Sequence, residues 1–282
     1  MFLITEKRVL APKVSLMKIK APYVVKHAKP GQFVILRVEE MGERIPMTIT
    51  EANLIDGTIT IIFQEIGATT FKLNQLNAGD FLHDFVGPLG RATDLDGLKK
   101  VAVVGGGVGC AIAYPVAKAL HEQGTIVHSI IGFRNKELIF LEDEFNACSD
   151  LTIITTDDGS NGNKGFVTDT LKKLLESGEN YDEVFAIGPL PMMKYVSKTT
   201  LPFNVKTIVS MNPVMIDGTG MCGGCRVTVG KEMKFACVDG PDFDGHLVDF
   251  DEAIRRNQMY SPFEKRQLDE NCNLLKGVKH DK

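Results

Sequence analysis

The stretch VAVVGGGVGCAIAYPVAKALHEQG, Val101 to Gly124, limits the possible folds more than any other part of the chain. Its first four residues form an unbroken apolar run, which as a strand is buried on both faces and belongs in a parallel sheet covered by helices. Gly105, Gly106, Gly107 and Gly109 follow, and behind them apolar residues recur at helical spacing. Strand, glycine turn and amphipathic helix make the first βα unit of an open α/β sheet. The glycines let a phosphate approach backbone N–H groups at a helix N-terminus, where the dipole favours an anion. No charge interrupts the run from Val101 to Ala117, a length close to that of a membrane span. Four glycines, Pro115 and charged flanks predict a buried strand and helix instead, with no membrane association.

Further strands are predicted at IVHSIIGF (126–133), LTIITT (151–156) and EVFAIGP (183–189), alternating with helix-like segments, so residues 97–210 read as a doubly wound nucleotide-binding domain. Open α/β sheets bind ligands beyond the C-terminal ends of their strands. Asp158 and Gly159 lie at one such end, and Gly188, Pro189 and Met192 at another; each is a nucleotide contact or a plain polar turn. No acidic residue cleanly ends the second strand to hold a ribose diol. Arg134 follows it, suiting either a 2′-phosphate or a solvated loop, so NAD and NADP both stay open.

Residues 1–96 have a different period. VSLMKIKAP, FVILRVEE, PMTITEAN and GTITIIFQE are short alternating strands, punctuated by Pro30-Gly31, Asp56-Gly57 and Ala78-Gly79-Asp80. They predict a small antiparallel barrel. Within it, Arg44, Pro46, Met47 and Thr48 combine a guanidinium suited to a diphosphate, a fixed backbone and a hydroxyl.

At the other end, DGTGMCGGCRVTVGKEMKFAC places Cys222 and Cys225 two residues apart and Cys237 eleven beyond. Plant-type [2Fe-2S] centres use C-x4-C-x2-C with a distant fourth cysteine; here Asp217 stands in the first position. Four glycines let the loop wrap closely around sulfur. Zinc competes for three cysteines and an aspartate, but structural zinc sites pair two knuckles where this loop has one. Residues 211–250 are too short to bury a core alone and need metal and a neighbour. Residues 251–282 form a charged tail, either a solvated surface or a docking arm for another subunit.

Composition narrows the classes. A net charge of −4 with interspersed signs excludes a nucleic-acid surface. Six cysteines, three in ligand spacing, fit a reducing compartment better than a disulfide framework. The N-terminus has no secretory signal pattern, so a cytoplasmic protein is expected.

Arg44-x-Pro46-Met47-Thr48 resembles the flavin motif Arg-x-Pro-x-Ser/Thr of the ferredoxin–NADP reductase superfamily. Gly67-Ala68-Thr69-Thr70 resembles its second loop, with Thr69 where glycine is usual, and Gly188-Pro189-x-x-Met192 resembles the strand end beside the nicotinamide. The resemblance implies FAD, with Arg44 on the diphosphate, Thr48 near the ring, Gly67, Thr69 and Thr70 at the phosphates, and Phe63 and Gln64 lining the flavin. It also implies NAD(H) as substrate. Over nearly the full chain the order of parts resembles two related groups: the electron-transfer subunits of dihydroorotate dehydrogenase, and the small subunits of NADH-dependent reduced ferredoxin:NADP oxidoreductase. Asp217 and MNPVMIDGTGMCGGCRV fit the second group better. That likeness implies a heterodimer with a larger flavin and iron–sulfur subunit, ferredoxin reached indirectly, and flavin-based electron bifurcation. From another class, an NAD- and zinc-binding redox sensor without turnover would share these features.

Overall fold

A computed structural model describes residues 1–259 together with Pro262 and Arg266. The first part supplies β1 (Phe2–Ala11), β2 (Val14–Lys20), α1 (Pro22–Val25), β3 (Phe33–Arg37), β4 (Arg44–Thr48), β5 (Glu51–Asn53), β6 (Thr58–Gln64), α2 (Ala68–Gln75), β7 (Phe81–Leu82) and β8 (Asp84–Leu89). These strands form two antiparallel sheets, ordered β5-β6-β2-β1-β7 and β4-β3-β8. Met17, Ile19, Ile59, Ile61 and Phe63 from the larger sheet meet Val34, Leu36 and Phe85 from the smaller in one core. Alternation along β3 therefore sends Phe33, Ile35 and Arg37 to the outer face, where Phe33 and Ile35 join a second core shared with the rest of the molecule.

The next part builds β9 (Lys100–Gly106), α3 (Cys110–Glu122), β10 (Ile126–Phe133), α4 (Glu142–Ala147), β11 (Leu151–Thr156), α5 (Val167–Glu176), β12 (Glu183–Ile187), α6 (Leu190–Thr200) and β13 (Lys206–Ser210). The strands are parallel in the order β11-β10-β9-β12-β13. Val101 to Val104 are fully buried at its centre, which explains their unbroken apolar run. Chain order reverses between β9 and β12, and a crevice opens at such a switch point. A Cβ on Gly109 would stand 2.5 Å from the Ile187 carbonyl oxygen, so a side chain there would force α3 away from β12. Cys110 and Cys148 are free and buried.

The last part holds the hairpin β14 (Arg226–Val229) and β15 (Glu232–Phe235), then β16 (Asp242–Asp244) and α7 (Phe250–Gln258). β16 pairs antiparallel with β13 and becomes the sixth strand of the parallel sheet. In sequence this stretch reads as a Gly/Asp-rich turn; Phe243, buried among the sheet's helices, makes it a strand. Cys225, Val227, Ala236, Cys237 and Val248 share one core with β9, β12 and α6, as a segment too short for its own core requires. The docking-arm expectation for the chain beyond residue 259 falls, apart from Pro262 and Arg266, outside the described residues. Among the described residues no helix is long and apolar enough to cross a membrane.

Where the three parts meet stands Asp242. Thr93, in the connection from β8 to β9, donates to its carboxylate at 2.5 Å, and the Ser210 hydroxyl at the end of β13 bonds it too. Burial raises the Asp242 pKa against the pull of these two hydroxyls. The native state thus holds this proton more tightly than the unfolded chain, whose Asp titrates near 3.9. The group's stabilising contribution is complete below that pH and is lost as pH rises through the folded value. Asp242→Asn, neutral at every pH and still an acceptor for Thr93, is expected to flatten the fall in thermal stability as pH rises above about 4, the unfolded value. Melting temperatures across that range test it; a parallel shift at all pH values would contradict it.

Candidate functional site

The register of β3 with β4 decides which side chains share the outer face of the small sheet. Phe33 pairs with Thr48, Ile35 with Pro46 and Arg37 with Arg44, so Arg44, Pro46 and Thr48 project outward in one row. Met47 lies between them and turns inward against the barrel core, as does Phe63, which is 2% exposed. Phe63, expected to line a flavin, and Met47, a member of the motif, thus turn their side chains to the barrel core, as the two-residue period of a strand requires. Arg44 carries a buried Nε with no hydrogen-bond partner among the described residues. An unpaired buried donor on a guanidinium is costly, and an anionic ligand satisfies it.

A helix start faces the same end of β4. Gly67 is the N-cap of α2, and open space lies in front of its Cα. Phe71 makes the first bond within the helix, to the Gly67 carbonyl, leaving the N–H groups of Ala68, Thr69 and Thr70 without intrahelical acceptors. The Thr70 hydroxyl closes the cap, accepting from Ile66 and Gly67 N–H at 3.0 Å each. Thr69 donates to Glu43 Oε2 at 2.7 Å, which ties α2 to the residue before Arg44. Guanidinium, free helix N–H groups and open space together form a fitting cradle for a diphosphate.

The crevice at the switch point is a cavity of about 890 Å³. Gly106, Gly107 and Gly109 form its floor, Gly188, Pro189 and Met192 one wall, and Arg134 its rim, while Gln64 enters from the barrel. Gly107 has φ +54° and nothing near the place a Cβ would occupy, so its backbone faces the cavity. Gly105 lies one residue deeper, against Cys110. Asp158 is not among the lining residues: its carboxylate accepts from Ser160 N–H at 2.9 Å, and bonding to Ser160 holds its pKa below the usual range. Gly159 completes that turn at φ +80°. Asp157 lines the cavity instead, together with Thr155, whose buried hydroxyl has no partner among the described residues. Sequence reading places Asp157 at this strand end but singles out Asp158 and Gly159 by their turn signal, and it misses Thr155, which lies within β11.

The cysteine loop sits on the outer face of the small sheet. Gly218, at φ +76°, lies so close that a Cβ would stand 2.6 Å from Leu89 Cδ1 and 3.1 Å from Ile35 Cγ1. Ile35 is the register partner of Pro46, so this loop and the Arg44–Thr48 row are one strand apart. Cys225 and Cys237 are buried with their sulfurs 3.2 Å apart, while Cys222 is exposed. Burial, with Cys225 beside it, pushes the Cys237 thiol up to about 12, so a cation is needed to hold it as a thiolate. Gly224 N–H points at Cys222 Sγ from 3.5 Å, the contact a ligating sulfur uses. The Asp217 carboxylate accepts from Thr219 and Cys222 N–H at 2.9 and 2.8 Å; two of its roughly four lone-pair sites remain for a metal. Among the described residues no three His, Cys, Asp or Glu side chains yet converge on one point, but the donor set fits a thiolate-held cluster.

Two family models match the chain: the oxidoreductase NAD-binding domain over residues 103–198, and the iron–sulfur cluster binding domain of dihydroorotate dehydrogenase B over residues 212–249. A dihydroorotate dehydrogenase B electron transfer subunit homolog from Thermotoga maritima is 44% identical, covering 93% of this chain and 92% of its own length. The electron transfer subunit from Fusobacterium nucleatum is 35% identical over 80% of this chain and 88% of its own. A solved structure of NADH-dependent reduced ferredoxin–NADP oxidoreductase superposes with a TM-score of 0.91 at 42% identity, covering 96% of this chain and 98% of that one. The cytochrome b5 reductase domain of Ulva prolifera nitrate reductase shares the fold alone, with a TM-score of 0.60 at 20% identity over 74% of this chain and 95% of that one. These likenesses rule against a zinc-binding sensor and agree with the fit of the residues. The chain belongs to the family of dihydroorotate dehydrogenase B electron transfer subunits and their homologues, as an NAD(P)H oxidoreductase subunit of the ferredoxin–NADP reductase type with FAD, a [2Fe-2S] cluster and NAD(H).

Proposed function

We propose that this chain is the small subunit of an electron-bifurcating NADH-dependent ferredoxin:NADP oxidoreductase, a cytoplasmic heterodimer with a larger flavin and iron–sulfur subunit. One observation carries this reading: Gly218 of the cysteine loop rests on Ile35, one strand from the Arg44–Thr48 row, while the nucleotide crevice opens to the same barrel through Gln64. Residues 1–96 hold FAD, residues 97–210 NAD(H), and residues 211–250 the cluster. Bound FAD supplies exchange between two-electron hydride chemistry and one-electron transfer, and the cluster supplies the one-electron exit.

The chain's own residues do the positioning. Arg44 and the N-terminus of α2, through Gly67, Thr69 and Thr70, hold the diphosphate. Thr48 hydrogen-bonds the ring edge, and Pro46 offers no competing N–H. Gly106, Gly107 and Gly109 would hold the nucleotide phosphates, and Gly188, Pro189 and Met192 would line the nicotinamide's end of the crevice. Asp217, Cys222, Cys225 and Cys237 hold the cluster. Asp217 and the 42% identity to the ferredoxin–NADP oxidoreductase chain support the bifurcating complex. The names of the dihydroorotate dehydrogenase relatives support a second reading, in which electrons from dihydroorotate pass to NAD.

Arg44→Gln is expected to weaken FAD binding roughly 10- to 100-fold, the size of a charged hydrogen-bonded contact, in fluorescence titrations of the deflavinated protein; unchanged affinity would remove Arg44 from the site. Asp217→Cys is expected to shift both the cluster potential and its pH dependence in EPR-monitored redox titrations, because a carboxylate is a harder ligand than a thiolate and keeps a second oxygen outside the metal bond. An identical potential and pH profile would take Asp217 out of the ligand set. Anaerobic purification from native expression is expected to bring down a partner carrying FAD and [4Fe-4S] clusters; an FMN-containing dihydroorotate dehydrogenase in its place would establish the second reading.

A further inference from the structure

Two arginines stand directly opposite one another in the small sheet. Arg37 and Arg44 are register partners of β3 and β4, on the outer face that carries Pro46 and Thr48. Neighbouring strands lie about 4.8 Å apart, and like charges so opposed destabilise a sheet. The row holds one carboxylate, Asp84, the β8 partner of Arg37. It is committed to the far side: Oδ2 lies 2.7 Å from Arg37 Nη2, and Oδ1 lies 3.0 Å from His83 Nδ1. Arg37 Nη1 donates to the Glu40 carbonyl at 2.6 Å. Arg37 is therefore held at one place, while Arg44 has no carboxylate partner among the described residues.

Each of the two keeps a buried Nε without an acceptor among the described residues. Leaving two charged donors desolvated is unfavourable. A ligand with anionic oxygens on two adjacent phosphorus atoms answers both at once, and it reverses the sign of the repulsion between the arginines. We propose that Arg37 is a second arginine for the FAD diphosphate, kept in position by Asp84 and His83. The inference rests on the flavin reading of Arg44. In sequence Arg37 lies outside the Arg-x-Pro-x-Thr motif and looks like an ordinary charge at a strand end; only the register brings it beside Arg44.

The test is binding of FAD and of riboflavin, which lacks phosphate, to the deflavinated full chain and to Arg37→Gln, Arg37→Lys and Asp84→Asn. Arg37→Gln is expected to weaken FAD roughly 10- to 100-fold and leave riboflavin unchanged. Arg37→Lys should recover part of the loss, and Asp84→Asn should weaken FAD selectively by a smaller factor. Should Arg37→Gln fail to fold, the other two variants carry the same comparison. FAD affinity within twofold of the parent in the Arg37 variants, with Arg44→Gln still impaired, overturns the proposal and leaves the flavin reading standing. Equal loss of FAD and riboflavin overturns it as well, by showing a general loss of barrel structure. A parent chain that binds no flavin overturns the underlying reading instead.

Discussion

The contact on which this architecture depends is the seating of Gly218 against Ile35 and Leu89. A methyl group at that position would collide with Leu89, and its φ of +76° is one that side chains disfavour. The loop therefore comes down onto the barrel's outer face, and everything the cysteines do is done beside the row that starts at Arg44. Because β3 is only one strand wide, small changes in its packing act on both neighbours together. The same strand carries Ile35 under the loop and Arg37 beside Arg44.

Much of this was legible in the sequence, and the limits have physical causes. The parallel sheet was readable because a strand buried on both faces has to be continuously apolar, and Val101 to Val104 are. The motif residues Arg44, Pro46 and Thr48 were found together through their resemblance to a known motif, and the register of β4 with β3 sets them on one face. The inward turn of the Met47 side chain was not legible, since a motif written as consecutive letters hides the pleat, and that of Phe63 depends on which sheet face meets the core. β16 was missed because three residues with two aspartates carry almost no strand signal; its place comes from the edge of β13, far away in sequence. Asp158 was singled out over its neighbour Asp157, and Thr155 was missed, for a related reason: a local turn signal outweighed a cavity wall that only tertiary structure defines.

The three parts are also held together by polar groups that no pattern announces. Asp242 receives Thr93 from the barrel connection and Ser210 from the sheet, and Arg91 N–H donates to the Gly240 carbonyl at 2.7 Å. A buried carboxyl at such a junction fixes the angle between parts more sharply than apolar packing, because a misplaced hydrogen bond costs more than a displaced methyl.

The pairing of β16 with β13 gives the cysteine segment an unusual topological status. Its ends leave and re-enter the sheet on adjacent strands, so residues 211–241 are a side excursion from an otherwise complete nucleotide fold. Closing such a loop costs little more when it is lengthened or shortened, since the entropic penalty grows only with the logarithm of its length. The length of this excursion is thus only weakly constrained by the sheet that carries it, and what fixes the segment is the core it shares with β9, β12 and α6 and the seat of Gly218 on the barrel.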